Sequence, residues 1–171
     1  MRGIWGVLFF FLFTLNSFGA LLPLGDFVDK KHFLDLKLLY GCRPIARFKN
    51  SLSPKACRFD PLIVSREFNL PQLYDAVALL DKDGTVHGVM VKLSPVDLDG
   101  VVSELSLKYN FEGCIAPRYS YYNRCTLVSP DGRVKVVVER YGRRVSVLFV
   151  RRVLWSEFLR DKRKGRLGGR P

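Results

Sequence analysis

Apolar and polar residues alternate with the period of β-strands in the middle of the chain. Candidate strands cover residues 75–80 and 86–93, and Asp81-Lys82-Asp83-Gly84 lies between them. An Asp-Gly pair between two apolar runs predicts a hairpin, because glycine tolerates the positive φ that such turns require. Three more strands are predicted at residues 124–128, 134–140 and 145–150, with Asp131-Gly132 and Gly142 at their junctions.

Two segments follow the helical period instead. The first has its apolar residues three or four apart, at Leu98, Val101, Leu105 and Tyr109. Ser94 and Pro95 are typical of a helix cap and first turn, and Asn110 is a plausible left-handed stop. The second segment is at the C-terminal end and carries the apolar residues Val153, Leu154, Trp155, Phe158 and Leu159.

The first part of the chain is less regular. Alternation over residues 34–40 favours a strand, although residues 28–40 fit a short helix ending at Gly41 equally well. Residues 42–61 carry three prolines and two cysteines and predict an irregular loop. Leu62-Ile63-Val64 predicts a short strand.

The order of these elements defines the expected fold class. A hairpin, a helix, a three-stranded meander and a C-terminal helix predict an α+β protein with a mostly antiparallel sheet, stabilised by disulfides. No internal repeat is visible in the sequence. We expect a single small domain over residues 20–160, followed by a basic tail over residues 161–171.

The N-terminus has the order of features of a secretory signal peptide. Met1-Arg2 gives a positive start, residues 3–15 carry no charge, and Ser17 and Gly19 put small residues before a cleavage point. We expect a signal over residues 1–19, with cleavage after Ala20 as the alternative. A second alternative is an uncleaved anchor over residues 3–25, which carry no charged group. Either way the domain lies beyond the membrane, in the periplasm or outside the cell.

Four cysteines follow this signal. An even number in an exported chain indicates disulfides, and we expect the local pairs Cys42–Cys57 and Cys114–Cys125. Zinc ligands are usually two to four residues apart, which these cysteines are not, so no metal site is predicted.

The charge balance points to an anionic partner. Lys and Arg number 28 against 16 Asp and Glu, a net charge of +12. Basic residues concentrate near the C-terminus, and three tyrosines between Cys114 and Cys125 add the composition of an interaction surface. The candidate binding residues are Arg140, Arg143, Arg144, Arg151, Arg152, Arg160, Lys162, Arg163, Lys164, Tyr121 and Tyr122.

No catalytic or cofactor motif is recognisable. Only two histidines occur, and His87 falls in a predicted strand, where a structural role is expected. There is no Gly-x-Ser-x-Gly elbow, no phosphate-binding glycine loop and no His-Glu-x-x-His motif. We therefore expect a non-enzymatic, exported binding module without a cofactor, of the inhibitor or immunity type. Its partner would be an acidic protein or an anionic envelope surface, and export argues against nucleic acid. The enzymatic alternative is a small hydrolase with paired carboxylates.

Overall fold

An antiparallel sheet of eight strands forms the centre of the computed structural model. The structure describes residues 18–30, 39–44, 55–115 and 122–167. The elements, in chain order, are the 3-10 helix η1 (Gly19–Phe27), β1 (Leu39–Pro44), β2 (Lys55–Phe59), α1 (Pro61–Glu67), β3 (Leu73–Leu80), β4 (Val86–Leu93), α2 (Leu98–Leu105), β5 (Asn110–Ile115), β6 (Tyr122–Val128), β7 (Val134–Tyr141), β8 (Arg144–Arg151) and α3 (Arg152–Leu167). The α+β prediction, with its mostly antiparallel sheet and C-terminal helix, is confirmed.

The sheet consists of two four-stranded meanders joined edge to edge. Its strand order is β1-β2-β3-β4-β8-β7-β6-β5, so the first meander (β1–β4) and the second (β5–β8) meet at β4 and β8. Across this seam Met90 pairs with Leu148, and Val89 and Val91 pair with Phe149 and Val147. A pseudo-two-fold axis perpendicular to the sheet passes between Met90 and Leu148. It exchanges Val91 with Phe149 and Val89 with Val147. The fold contains a repeat that the sequence does not display.

Both predicted disulfides are present and occupy equivalent places in the two meanders. Cys42–Cys57 joins β1 to β2, and Cys114–Cys125 joins β5 to β6, each between directly paired residues. The prediction of an irregular loop over residues 42–61 is wrong for residues 42–44 and 55–59, which form neighbouring strands linked by this disulfide. Its middle part, residues 45–54, lies outside the described residues. In β2 the alternation is short but regular, with Cys57 and Phe59 buried and Arg58 exposed between them.

One face of the sheet, here called the core face, carries the main hydrophobic core. Leu21 and Leu24 of η1 and Val64 of α1 are fully buried against it. The predicted stripe of α2 is also confirmed, and it reaches the turn that follows the helix. Its buried residues are Leu98, Val101, Leu105 and Tyr109.

The predicted boundaries of α2 are wrong at both ends. The helix begins after Asp97, and Ser94 and Pro95 precede it in a bend that contains a cis peptide bond. The Ser94 N–H donates to the Gln72 carbonyl at 3.0 Å and the Val96 N–H to the Arg143 carbonyl at 3.3 Å. These bonds tie the segment to the end of the sheet, so it cannot form a first helical turn. Asn110 opens strand β5 instead of ending a helix.

The short apolar run at residues 62–64 forms a helical turn and not a strand. Asp60 caps α1 by accepting a hydrogen bond from the Leu62 N–H at 2.9 Å, and Pro61 fits the first position because it has no N–H to leave unpaired. Val64 is buried while Leu62 is exposed. Val64 is the buried residue of this helix, which packs on β3.

The opposite face of the sheet, here called the outer face, is covered by α3 mainly over the second meander, and α3 also reaches Leu79 of β3 in the first meander. Leu154, Trp155 and Phe158 of α3 form a cluster with Leu79, Leu148 and Val150 of the sheet. The Arg124 guanidinium lies 5.7 Å from the centre of the Trp155 ring, a cation–π arrangement. The helices thus cover both faces, and the helical backbone continues to Leu167 through residues 161–167 of the predicted tail.

Candidate anion-binding face

A basic cluster lies on the outer face over the first meander. Strand alternation places Arg58 of β2, Asp75 of β3 and Lys92 of β4 on this face, in adjacent strands. Arg58 Nε is 3.2 Å from Asp75 Oδ1, and Lys92 Nζ is 3.0 Å from Asp75 Oδ2. A single carboxylate thus pairs with two cations, and the group keeps one net positive charge. The Arg58 side chain remains 62% exposed, so it can still bind a further anion.

A third cation lies beside this group. Arg144, at the start of β8, lies with its guanidinium carbon 5.9 Å from the centre of the Tyr74 ring. Tyr74 is 41% exposed because the β3–β4 register shifts between Leu73 and Asp75 and turns it outward. A stacked guanidinium is held in place while its N–H groups stay available to carboxylates or phosphates.

A cavity of about 420 Å³ adjoins the cluster near the edge strand β1. Its lining is Gly41, Cys42, Arg43, Ala56, Arg58 and Val77. Two guanidinium groups therefore border a floor of small apolar side chains. We call the set Arg43, Arg58, Tyr74, Asp75, Lys92 and Arg144, with the floor residues Ala56, Val77 and Met90, the basic face. Such a face suits a carboxylate-bearing ligand that also offers apolar surface.

The candidate residues from the sequence do not form one patch. Arg143 and Arg144 lie at the start of β8, while Arg151 and Arg152 lie at its other end, a strand length of roughly 23 Å away. Arg160 is exposed on α3, and Arg140 is half-buried near the end of β7. Lys162, Arg163 and Lys164 belong to α3 by their backbone, Tyr122 opens β6, and Tyr121 lies outside the described residues.

Arg151 belongs to a second feature, a polar cleft between η1, the turn after α2 and the β6–β7 turn. The cleft measures about 580 Å³ and contains three aspartates. Asp29 pairs with Arg151 and, at 3.7 Å, with Arg133, whose Nε also lies 2.9 Å from Asp131. Asp26 lies 2.7 Å from Lys108 Nζ. Each aspartate is held by a lysine or arginine, which is typical of a structural ion-pair network.

Two pKa shifts in this cleft agree with a structural role. The Ser129 hydroxyl, followed by the backbone and side chain of Arg133, lowers the pKa of Asp131 to about 2. Burial, assisted by the negative charge of Asp26, raises the pKa of Tyr109 to about 12. At neutral pH Asp131 is therefore ionised and Tyr109 protonated, so neither group is poised to exchange a proton.

His87 also has a structural partner. It is 1% exposed, and its Nε2 lies 3.0 Å from Asp81 Oδ2. Burial opposes ionisation of Asp81, but hydrogen bonds from His87, Thr85 and Asp83 outweigh it and lower the pKa of this carboxyl. The four groups close the predicted β3–β4 hairpin. Across the described residues, no group of three or more His, Cys, Asp or Glu side chains is arranged to hold a metal ion.

Sequence reasoning missed Arg43, Arg58 and Lys92. The first two fell in the segment predicted as a loop, where no face can be assigned to a side chain. For Lys92 the signal was present, since it alternates with Val91 and Leu93 in a predicted strand. Only the register of β2, β3 and β4 shows that Arg58 and Lys92 share the carboxylate of Asp75.

Comparison with protein-family models, curated proteins and solved structures finds no match for this chain. Its site is therefore interpreted from its own geometry. In the four described stretches of chain, no helix is both long and apolar enough to cross a membrane. The two disulfides fit a protein of an oxidising compartment.

Proposed function

We propose that the protein is an exported, non-enzymatic binding module that takes an anionic partner on its basic face. The observation that carries the proposal is the sharing of Asp75 by Arg58 and Lys92, with Arg144 and Arg43 nearby. Four cations against one carboxylate leave an excess of positive charge over an apolar floor. Charge of this kind steers an anionic partner and fixes its orientation. An inhibitor or immunity-type role is consistent with such a surface.

Export is supported by the disulfides, and the position of η1 bears on whether the signal is cleaved. Leu21 and Leu24 are fully buried in the core of the domain. An anchor over residues 3–25 would need these two side chains in the bilayer, which would remove them from the core. The uncharged stretch left for a membrane, residues 3–18, is shorter than the roughly 20 residues of a spanning helix. This favours a cleaved signal over an anchor.

The export part is tested by intact mass of the protein recovered from its host, before and after reduction and alkylation. We expect the mass of residues 20–171 with both disulfides formed. A full-length mass with free thiols would contradict export.

The binding part is tested by retention on immobilised poly-L-glutamate. The double variant Arg58→Gln/Arg144→Gln is compared with Arg66→Gln/Arg160→Gln, which has the same net charge. We expect the first variant to elute at clearly lower salt than the second, because the lost charges belong to one surface. Elution of both at the same salt would show attraction by net charge alone and would refute the basic face.

A further inference from the structure

We propose that the partner presents an acidic amphipathic helix, which docks on the basic face in the position equivalent to that of α3. This inference rests on the proposed function and adds the form of the partner. The pseudo-two-fold axis at Met90–Leu148 provides the first argument, because it relates the covered half of the outer face to the other half.

The axis relates the residues under α3 to residues of the basic face. Met90 corresponds to Leu148, against which α3 packs. Lys92 corresponds to Val150, because each lies two residues after the residue at the axis, Met90 or Leu148. Ala56 corresponds to Arg124, because each precedes the buried cysteine of its disulfide. No described helix lies on these residues of the first meander.

The width of the site suits a helix. The floor residues Ala56, Val77 and Met90 lie on β2, β3 and β4, and two strand spacings amount to about 10 Å. A helix with its side chains is about 10–12 Å across. The apolar side of the helix would rest on the floor, and its carboxylates would reach Arg58 and Lys92.

The same geometry disfavours a flat anionic membrane. α3 packs mainly on β7 and β8, reaches Leu79 at the far end of β3, and stands roughly one helix diameter above the sheet. A planar surface resting on α3 would not reach Met90 or Val77 in the neighbouring strands. A protein segment can enter beside α3, whereas a bilayer cannot follow this step.

Charge excludes a second copy of α3 as the occupant. The α3 sequence, residues 152–167, carries six Lys or Arg against two acids. It would place cations against Arg58 and Lys92, and like charges in contact are unfavourable. The occupant must reverse this charge while keeping the apolar spacing.

The test uses the full disulfide-bonded protein and a synthetic peptide as the probe. The peptide keeps the apolar residues of α3 and replaces each Lys and Arg by Glu. Two control peptides are the unchanged basic α3 sequence and the acidic peptide with a central proline, which breaks the helix without changing the charge. We expect the acidic helical peptide to bind at least about tenfold more tightly than either control, as measured by fluorescence anisotropy.

Protein variants locate the binding site. Arg58→Glu should weaken binding of the acidic peptide about tenfold and Met90→Ala severalfold, because they remove a charge partner and floor contact. Matched controls on α1, Arg66→Glu and Leu62→Ala, make the same chemical changes at exposed positions of another element and should leave binding unchanged.

The outcomes separate the two proposals. If the proline peptide binds as tightly as the helical one, the helix is refuted while an anionic partner on the basic face stands. If anionic vesicles bind through Arg58 and the peptides do not, the helix is likewise refuted. If neither poly-L-glutamate nor any acidic peptide depends on Arg58, both proposals fail.

Discussion

The two meanders share a register and a cross-link but differ in what their outer faces present. Where α3 covers the second meander, the sheet offers Leu148 and Val150. At the equivalent positions of the first meander stand Met90 and Lys92. The same backbone therefore serves packing in one half and charge presentation in the other. A repeated scaffold can carry two surfaces of different chemistry without a change of register.

The helices that follow the two meanders differ in a related way. α2 packs on the core face, and α3 packs on the outer face. The four residues 94–97 lead the chain from β4 to α2, whereas α3 begins directly after Arg151. The core face of the first meander is already occupied, because α1 packs on β3 and η1 on β4. The core-face position that symmetry would give to α3 is thus already filled by α1 and η1. α3 therefore packs on the outer face.

The largest expected effect is a difference in stability loss between two symmetry-related residues at the seam between β4 and β8. Phe149 and Val91 are related by the axis and both are fully buried. Phe149→Ala should lower the free energy of unfolding by about 3–5 kcal/mol, against about 2 kcal/mol for Val91→Ala. Phe149 loses more because its ring packs 5.9 Å from the Tyr109 ring and beside Gly25. Urea unfolding measures both values, and equal losses would contradict the asymmetry.

The next effect compares how much each of the two equivalent disulfides stabilises the protein. Replacing Cys42 and Cys57 by alanine should lower stability by about 3 kcal/mol, because the unfolded chain gains the entropy of an open loop. The same change at Cys114 and Cys125 should cost a similar amount, since the sequence separations are 15 and 11. Urea unfolding of both variants under non-reducing conditions tests this. A loss confined to one variant would show that the halves are not equivalent.

A smaller effect concerns the glycine that precedes the outer cysteine in each meander. Gly41 and Gly113 have φ values of +152° and +147°, and an added Cβ would meet no atom within 4 Å at either site. Each Gly→Ala change should therefore cost about 1 kcal/mol through backbone strain alone. Thermal unfolding measures both. Gly100→Ala in the α2 helix is the control and should show no loss, since alanine favours a helix and the nearest contact there is an ordinary one.

The smallest effect at neutral pH involves Tyr109, which leads into the second meander. Its pKa is raised from 10.0 to about 12, so folding favours the protonated phenol. This stabilisation is complete below pH 10 and is lost as the pH rises towards 12. Tyr109→Phe should remove that part of the alkaline loss. Urea midpoints of the unchanged protein and of Tyr109→Phe, measured between pH 10 and pH 12, test this, and tyrosinate absorbance reports the titration directly. An equal loss of stability in both proteins would refute the raised pKa of Tyr109.

Strand alternation and turn residues predicted the central part of the fold. Asp83-Gly84 and Asp131-Gly132 marked real turns, and the cysteine spacing gave the correct pairs. The local sequence pattern gave the wrong helix start where hydrogen bonds to distant residues determine the backbone conformation. The segment Ser94-Pro95 looks like a helix cap, yet the N–H groups of Ser94 and Val96 donate to the carbonyls of Gln72 and Arg143, which directly precede β3 and β8.

The candidate site was harder to predict than the fold. Sequence density drew attention to the C-terminal basic residues, but Arg151 is used inside the protein by Asp29. Arg58 and Lys92 are 34 residues apart in sequence and meet only through the register of three strands. Density of charge along a chain does not give its density on a surface.

Each disulfide has one exposed and one buried cysteine, and this affects how it can be broken. A thiolate reductant attacks one sulfur and expels the other. Approach is open at Cys42 and Cys114, so the departing thiolates would be those of Cys57 and Cys125, which are 2% and 1% exposed. A thiolate in apolar surroundings is poorly solvated and leaves slowly. In the folded domain both disulfides should therefore be reduced slowly. Reduction should become fast only when the two linked strands separate and the buried sulfur is exposed to water.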